Sequence, residues 1–305
     1  MDRLTTYIPK QLIYYFYCDT FEFLEVYKLH LECIKSYGDI FFKYTFLLGF
    51  NDINDNNLID YWKYNITNYI GEDKNIEFII IENKKQWREG IHYYNYVYKR
   101  LNEYDGLVCW GHGKRDFGYS KINVYEWIIS SHYIMSHDIS DIENKLVYDK
   151  YLFTGPNLCY FNGNINDIKY LGSFYWMNPK KIYNKYYNYI NIFIQTMDKY
   201  LFEIHPDLYD DTCYTMFDNY LYYIAENIYL LCCDINYLHH YQLDYIDCLS
   251  FHNKNDNNAI LYEYNSLLIE PFSNTMIKYY NNQFINDFKI YFDNIINKLN
   301  ITFDV

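Results

Sequence analysis

Strand-like and helix-like segments alternate four times within the first 111 residues, and this rhythm restricts the fold more than any other feature of the chain. Gln11 to Cys18 is a short apolar, aromatic run closed by Asp19, which predicts a buried strand. Thr20 then opens an acidic turn, and Phe23, Val26, Tyr27 and Leu31 keep helical spacing to a stop near Gly38. Tyr44 to Phe50, Asn75 to Ile81 and Tyr104 to Trp110 predict three further strands, with helices over Leu58 to Ile70 and Gln86 to Leu101. Parallel strands need crossover helices, so the alternation predicts an α/β fold built on a doubly wound, mostly parallel sheet flanked by helices. Ligands of such sheets sit outside the carboxyl ends of the strands. The segments to inspect are therefore Asp19, Asn51-Asp52, Asn83 and the loop from Gly111 to Gly118. That loop is expected at the carboxyl edge of a central strand, beside the end of the first strand near Asp19.

Downstream the pattern is less regular. A helix is expected around Val124 to Met135, followed by an apolar run at Leu146 to Phe153 and the turn Thr154-Gly155-Pro156-Asn157. Tyr170 to Met177 reads as a strand, and Pro179 suits the start of another helix. Thr212 to Leu231 is a long helical pattern with Glu226 near its middle, and Ala259 to Tyr264 is a strand candidate. A final amphipathic helix is expected from about Thr275 to Leu299, with Ile277, Phe284, Phe288, Tyr291, Ile295 and Leu299 on one face.

Composition excludes several classes. Acidic residues outnumber basic ones 39 to 26, giving a net charge of −13, and a nucleic-acid-coating protein needs the opposite sign. Aromatics make up 22% of the chain and Gly and Pro are scarce, which excludes disordered and collagenous chains. Tyr, Asn, Ile and Lys dominate while Ala occurs only at Ala225 and Ala259, the signature of an extremely AT-rich genome such as that of a large DNA virus, a phage or a protist parasite. Much of the Tyr and Asn load then reflects mutational pressure, and departures from the bias carry more information. No stretch reaches the roughly 18 apolar residues of a membrane helix. The N-terminal apolar run is interrupted by Asp19 and Glu22, unlike a signal peptide. The eight Cys form no Cys-x-x-Cys pair, which predicts reduced thiols and a cytoplasmic location, host cytoplasm or viral factory if the source is a virus.

The sharpest local feature is Gly111-His112-Gly113-Lys114-Arg115-Asp116-Phe117-Gly118. It holds three of the 11 Gly, and three of the chain's four Arg (Arg88, Arg100, Arg115) fall within residues 88 to 115. Glycine lets a backbone approach a ligand closely, and Lys plus Arg beside free amides suit a diphosphate. A glycine turn carrying solvated charges is the competing role. The loop is neither a Walker loop nor a dinucleotide fingerprint, because the glycine spacing differs from both. His112, His132 and His137 do not combine into a metal-ligating helical face, and His239-His240 lacks partners at diagnostic spacing. Tyr175 and Trp176 suit stacking on a sugar ring or, in a chain this rich in Tyr, core packing; Glu226 suits a general base, a buried ion pair or a solvated face.

The stretch Tyr104 to Lys114 resembles the strand followed by a His-x-Lys segment in glycosyltransferases of bacterial polysaccharide clusters and large viruses, including relatives of the rhamnan-synthesis glycosyltransferases. In the same order follow Trp127, then Gly172-Ser173-Phe174-Tyr175-Trp176-Met177-Asn178-Pro179, with Glu82-Asn83 and Trp87-Arg88-Glu89-Gly90 upstream and Ala225-Glu226 downstream. The likeness spans roughly residues 11 to 230. Gly113 stands where the family has Thr, and no Asp-x-Asp, the usual metal and nucleotide-sugar anchor, occurs.

The resemblance implies a GT-A-like domain over residues 1–232 and a helical C-terminal extension, 233–305, packed on the same domain. It implies transfer of a sugar from a nucleotide-diphosphate sugar to an acceptor hydroxyl of a glycan or glycoprotein. His112, Lys114 and Glu226 would be catalytic; Asp19, Asn83, Arg88, Gly111, Gly113 and Arg115 would bind the donor; Gly155, Asn157, Tyr175 and Trp176 would face the acceptor. Mn²⁺ or Mg²⁺ is the family's usual ion; without Asp-x-Asp, Lys114 and Arg115 are expected to neutralise the leaving diphosphate instead. Two rival expectations are a decayed relative serving as a viral structural or interaction protein, and another nucleotide-using transferase such as a nucleotidyltransferase.

Overall fold

The computed structural model describes residues 7–21, 25–83, 89–113, 121–156, 158–160, 168–170, 174–198, 238–241 and 282–301. The first strand, β1 (Lys10–Tyr17), buries both of its faces, as the apolar run Leu12 to Phe16 requires. Helix α1 (Glu25–Ser36) leads to β2 (Lys43–Phe50), and α2 (Asn56–Ile70) leads to β3 (Ile76–Glu82). Asp55 caps α2 by accepting the Leu58 amide hydrogen bond. Helix α3 (Glu89–Tyr96) and a tight helical turn, Tyr98–Glu103, then return the chain to β4 (Leu107–His112). These four strands are parallel, in the order β3-β2-β1-β4.

Beyond β4 lie α4 (Lys121–His137), the short α5 (Ile139–Glu143) with one further helical turn, and β5 (Phe153–Pro156). A small antiparallel ribbon pairs β6 (Leu158–Tyr160) with β7 (Ile168–Tyr170). Strand β8 (Tyr175–Met177) joins β4 in antiparallel sense and α6 (Pro179–Asp198) follows it. With β9 (Leu238–Tyr241), the main sheet has seven strands in the order β3-β2-β1-β4-β8-β5-β9. The last described helix is α7 (Asn282–Lys298). The class is α/β, and the sheet is mixed because β8 runs against its neighbours.

Helices cover both faces of the sheet. Residues of α1, α2, α4 and α7 pack with Leu12, Tyr14 and Phe16 of β1, while those of α3 and α6 pack with Ile13 and Tyr15. The alternation of β1 side chains between the two clusters is the period-two pattern of a strand covered on both faces.

Several boundaries differ from the sequence reading. The helix expected over Gln86 to Leu101 ends at Tyr96, and the tighter turn after it carries Tyr98 and Leu101 into the core. Of the strand expected over Tyr170 to Met177, Tyr170 belongs to the ribbon and Tyr175–Met177 enters the main sheet. The expected helix over Thr212 to Leu231 and strand over Ala259 to Tyr264 lie outside the described residues.

Candidate functional site at the carboxyl edge of the sheet

The direction in which successive strands are added reverses between β1 and β4, which themselves run parallel. From β1 the chain winds outward through β2 to β3, then crosses back to the other side of β1. The crossover helices follow suit, with α1 and α2 on one face and α3 on the other. A crevice opens at such a switch point, outside the carboxyl ends of the two strands. Here those ends are Tyr17-Cys18-Asp19 and His112-Gly113. Tyr15 pairs with His112, and the Gly113 amide donates to the Tyr15 carbonyl at 2.7 Å, so Asp19 and His112 belong to the same edge of the sheet.

The same edge carries the ends of β2 and β3. Cys18 extends the ladder by donating its amide to the Gly49 carbonyl at 2.7 Å, and Asn83 does so toward the Phe50 carbonyl at 2.7 Å. Asn83 is buried, and its side-chain oxygen accepts a long hydrogen bond, 3.4 Å, from the Tyr15 hydroxyl. Asp19 is half-buried, whereas Asp52 and Glu82 are exposed. The described rim is therefore acidic, and such carboxylates suit acceptance of hydroxyl protons from a ribose or a sugar. Glu25, at the start of α1, accepts from the Tyr125 hydroxyl of α4 at 2.7 Å and ties the two helix starts together.

The other predicted site residues divide sharply. His112 is buried, with its ring centroid 6.0 Å from that of Phe174. Gly111 and Gly113 meet a packing need: a Cβ on Gly111 would lie 2.5 Å from Tyr14 Cε2, and one on Gly113 only 2.4 Å from Phe16 Cδ1. The aromatic rings of β1 lie across β4 at these two positions. Gly155, in β5, reaches the same edge, but a Cβ there would sit 2.6 Å from the Phe174 carbonyl.

Tyr175 and Trp176, expected against an acceptor sugar, are 4% and 1% exposed. The Trp176 indole donates to the Met135 carbonyl at 2.9 Å and stacks on Phe41, while Tyr175 packs edge-on to Tyr93 and Phe153. Both are core residues in this structure, because β8 is flanked on both sides by β4 and β5. Arg88, Lys114, Arg115, Asn157 and Glu226 lie outside the described residues. Two acidic pairs come nearest to an Asp-x-Asp in sequence: Glu103/Asp105 sits before β4, at the opposite edge, where Glu103 accepts from Arg100. Asp141 and Glu143 are held in ion pairs by Lys145 and Lys10. Among the described residues, no three His, Cys, Asp or Glu side chains gather to hold a metal ion.

One constellation was not anticipated from sequence. Beneath the end of β4, Tyr14 of β1, His30 and the adjoining Tyr37 from α1, and His132 of α4 form a buried polar network. The Tyr14 hydroxyl lies 2.6 Å from His30 Nδ1, 3.3 Å from His132 Nε2 and 3.2 Å from the His112 carbonyl. His30 Nδ1 and His132 Nε2 are 3.4 Å apart, and the Tyr37 hydroxyl meets His132 Nδ1 at 3.1 Å. Burial pushes the His132 imidazolium down to a pKa of about 3, so the ring is neutral. Burial likewise raises the Tyr14 and Tyr37 phenols well above their usual range, reinforced by the neighbouring Cys33 and Cys109 thiols. A sequence signal was present: His30, Cys33 and Tyr37 recur at helical spacing on the face of α1 that the flanking Val26, Leu29 and Ile34 assign to the core. No family model, curated protein or solved structure matches this chain. No helix among the described residues is long and apolar enough to cross a membrane.

Proposed function

We propose that the crevice between the ends of β1 and β4 binds a nucleotide-diphosphate sugar, and that the protein is a GT-A-like glycosyltransferase acting on an acceptor hydroxyl. The observation that carries this reading is the parallel register of β1 with β4, which gathers Asp19, His112 and Gly113 at the switch point. Asp19 would accept hydroxyl protons of the donor's ribose. Lys114 and Arg115, next in sequence after Gly113, would face the diphosphate. As the glycosidic bond breaks, the leaving diphosphate gains negative charge, and fixed cations stabilise that charge more than the ground state. An acidic rim makes such cations, or a bridging Mn²⁺ or Mg²⁺, a necessity. The acceptor side is left to residues other than Tyr175 and Trp176, whose packing supports a structural role.

The buried thiols Cys33 and Cys109 favour a reducing compartment such as the cytoplasm. A thermal-shift series with UDP-, GDP- and TDP-sugars, with and without Mn²⁺, tests the reading. A ligand at a hundred times its Kd stabilises the native state by about 2.7 kcal/mol. One nucleotide class should raise Tm, and Asp19→Asn should reduce that rise. No shift with any nucleotide would favour the interaction-protein reading.

A further inference from the structure

The geometry points to a buried site for one zinc-class divalent ion, held by His30 Nδ1, His132 Nε2 and the Tyr14 phenolate, with the His112 carbonyl as fourth donor. The site is independent of whether the crevice above it takes a nucleotide. Its donors come from four elements, namely α1, α4, β1 and the end of β4, and all four residues are buried.

Donor spacing is the main argument. A tetrahedral ion with bonds of about 2.0–2.1 Å to nitrogen and oxygen keeps its donors roughly 3.3–3.4 Å apart. Four of the six donor separations are direct hydrogen-bonded contacts, and three of these already match: 3.4 Å between the imidazole nitrogens, 3.3 Å from Tyr14 to His132 and 3.2 Å from Tyr14 to the His112 carbonyl. The exception is the 2.6 Å contact of Tyr14 with His30, which a shared proton closes. An ion replaces that proton: the phenol loses H⁺ to solvent, the O–H bond gives way to a metal–oxygen bond, and the pair opens by a few tenths of an ångström. The phenolate formed offsets one of the ion's two charges.

The surrounding shell supports the same assignment. A ligating imidazole almost always has its other nitrogen fixed by a hydrogen bond. Tyr37 provides this for His132, since Nδ1–H donating to the Tyr37 oxygen, 3.1 Å away, leaves the Nε2 lone pair aimed inward. Phe174 stacks on His30, with rings 6.1 Å apart and 14° from parallel, and fixes its plane. Imidazole nitrogen with phenolate and carbonyl oxygen is a borderline donor set, which suits zinc, cobalt or copper rather than calcium or magnesium.

The test uses the full chain, stripped with a chelator and titrated with Zn²⁺, then with Co²⁺ as a spectroscopic substitute. We expect one ion per chain, a raised Tm, and the visible absorption of four-coordinate Co²⁺. Tyr14→Phe, which removes only the hydroxyl, should abolish that spectrum while the far-UV circular dichroism stays native. Tyr37→Phe should weaken Zn²⁺ binding by about 10–100-fold, the scale for loss of an outer-shell partner. His239→Ala with His240→Ala should leave affinity unchanged. Stoichiometric binding that survives Tyr14→Phe and His132→Gln unaltered would overturn the assignment. So would the absence of any bound Zn²⁺ at micromolar concentration in a folded wild-type chain.

Discussion

Gly113 can be read in two ways, and the difference is measurable. As a phosphate-approach glycine it would serve a ligand. In the structure it serves Phe16, whose ring occupies the space a Cβ would need, at 2.4 Å. Gly113→Ala is therefore expected to destabilise by about 1–3 kcal/mol, the range for forcing an extra group into a packed site. Phe16→Leu should relieve part of that cost, so the double mutant is predicted to be more stable than the sum of the single changes by at least about 0.5 kcal/mol. Urea denaturation of the four proteins decides it. Strict additivity would return Gly113 to the ligand. The same reasoning explains why Tyr175 and Trp176 were ambiguous in sequence: with 42 Tyr and 21 Phe in the chain, an aromatic says nothing by itself about what it touches. His112 was legible as a strand-end residue but not as a buried one.

Among the elements, those fixed by local pattern were the ones readable in advance. The strands β1 to β4 appear within a few residues of where apolar runs and their polar stops place them, because each must be buried by helices on both faces. Short elements were only partly readable: the strand expected over Tyr170 to Met177 contains β8 but also takes in Tyr170 of the ribbon, since three-residue strands take their pairing from tertiary neighbours rather than from their own sequence. The final helix illustrates the reverse case. Its periodicity named Phe288, Tyr291 and Ile295, and these do face the molecule: Phe288 and Ile295 are buried against α1 and α4, and the Tyr291 hydroxyl meets Ser36 Oγ at 2.7 Å. Lys298 adds an ion pair to Glu32 of α1. Phe288→Ala is predicted to cost about 3–5 kcal/mol, as for other buried aromatics. Tyr291→Phe, which loses the hydroxyl's contacts with Ser36 and Cys33 but keeps the ring, should cost about 1 kcal/mol. Chemical denaturation monitored by fluorescence gives both numbers, and a negligible loss for Phe288→Ala would mean that α7 contributes little to the core.

For the whole molecule, the order β3-β2-β1-β4 divides the sheet into edges with separate roles. The amino edge holds Lys43, Glu77, Arg100 and Glu103, which satisfy one another: Lys43 pairs with Glu77 at 2.8 Å and Arg100 with Glu103 at 2.6 Å. The carboxyl edge holds Asp19, Asp52 and Glu82, a rim with an excess of negative charge among the described residues. If a donor diphosphate binds at that edge, its charge must be met by the cations next to Gly113 in sequence. Lys114→Ala is therefore predicted to lower sugar transfer or donor hydrolysis on the order of a hundredfold, the scale for losing one preorganised charge-stabilising group. Arg115→Ala should cost less if that side chain serves binding alone. Lys43→Ala is the matched control: it removes an equal charge from the opposite edge, and a surface ion pair contributes at most about 1 kcal/mol. Turnover should be unchanged in Lys43→Ala, with the Tm of all three proteins close to that of the parent. Equal losses in Lys114→Ala and Lys43→Ala would show a general field effect of an acidic protein on an anionic substrate. Full turnover in Lys114→Ala would take the Gly111 to Gly118 loop out of the active site.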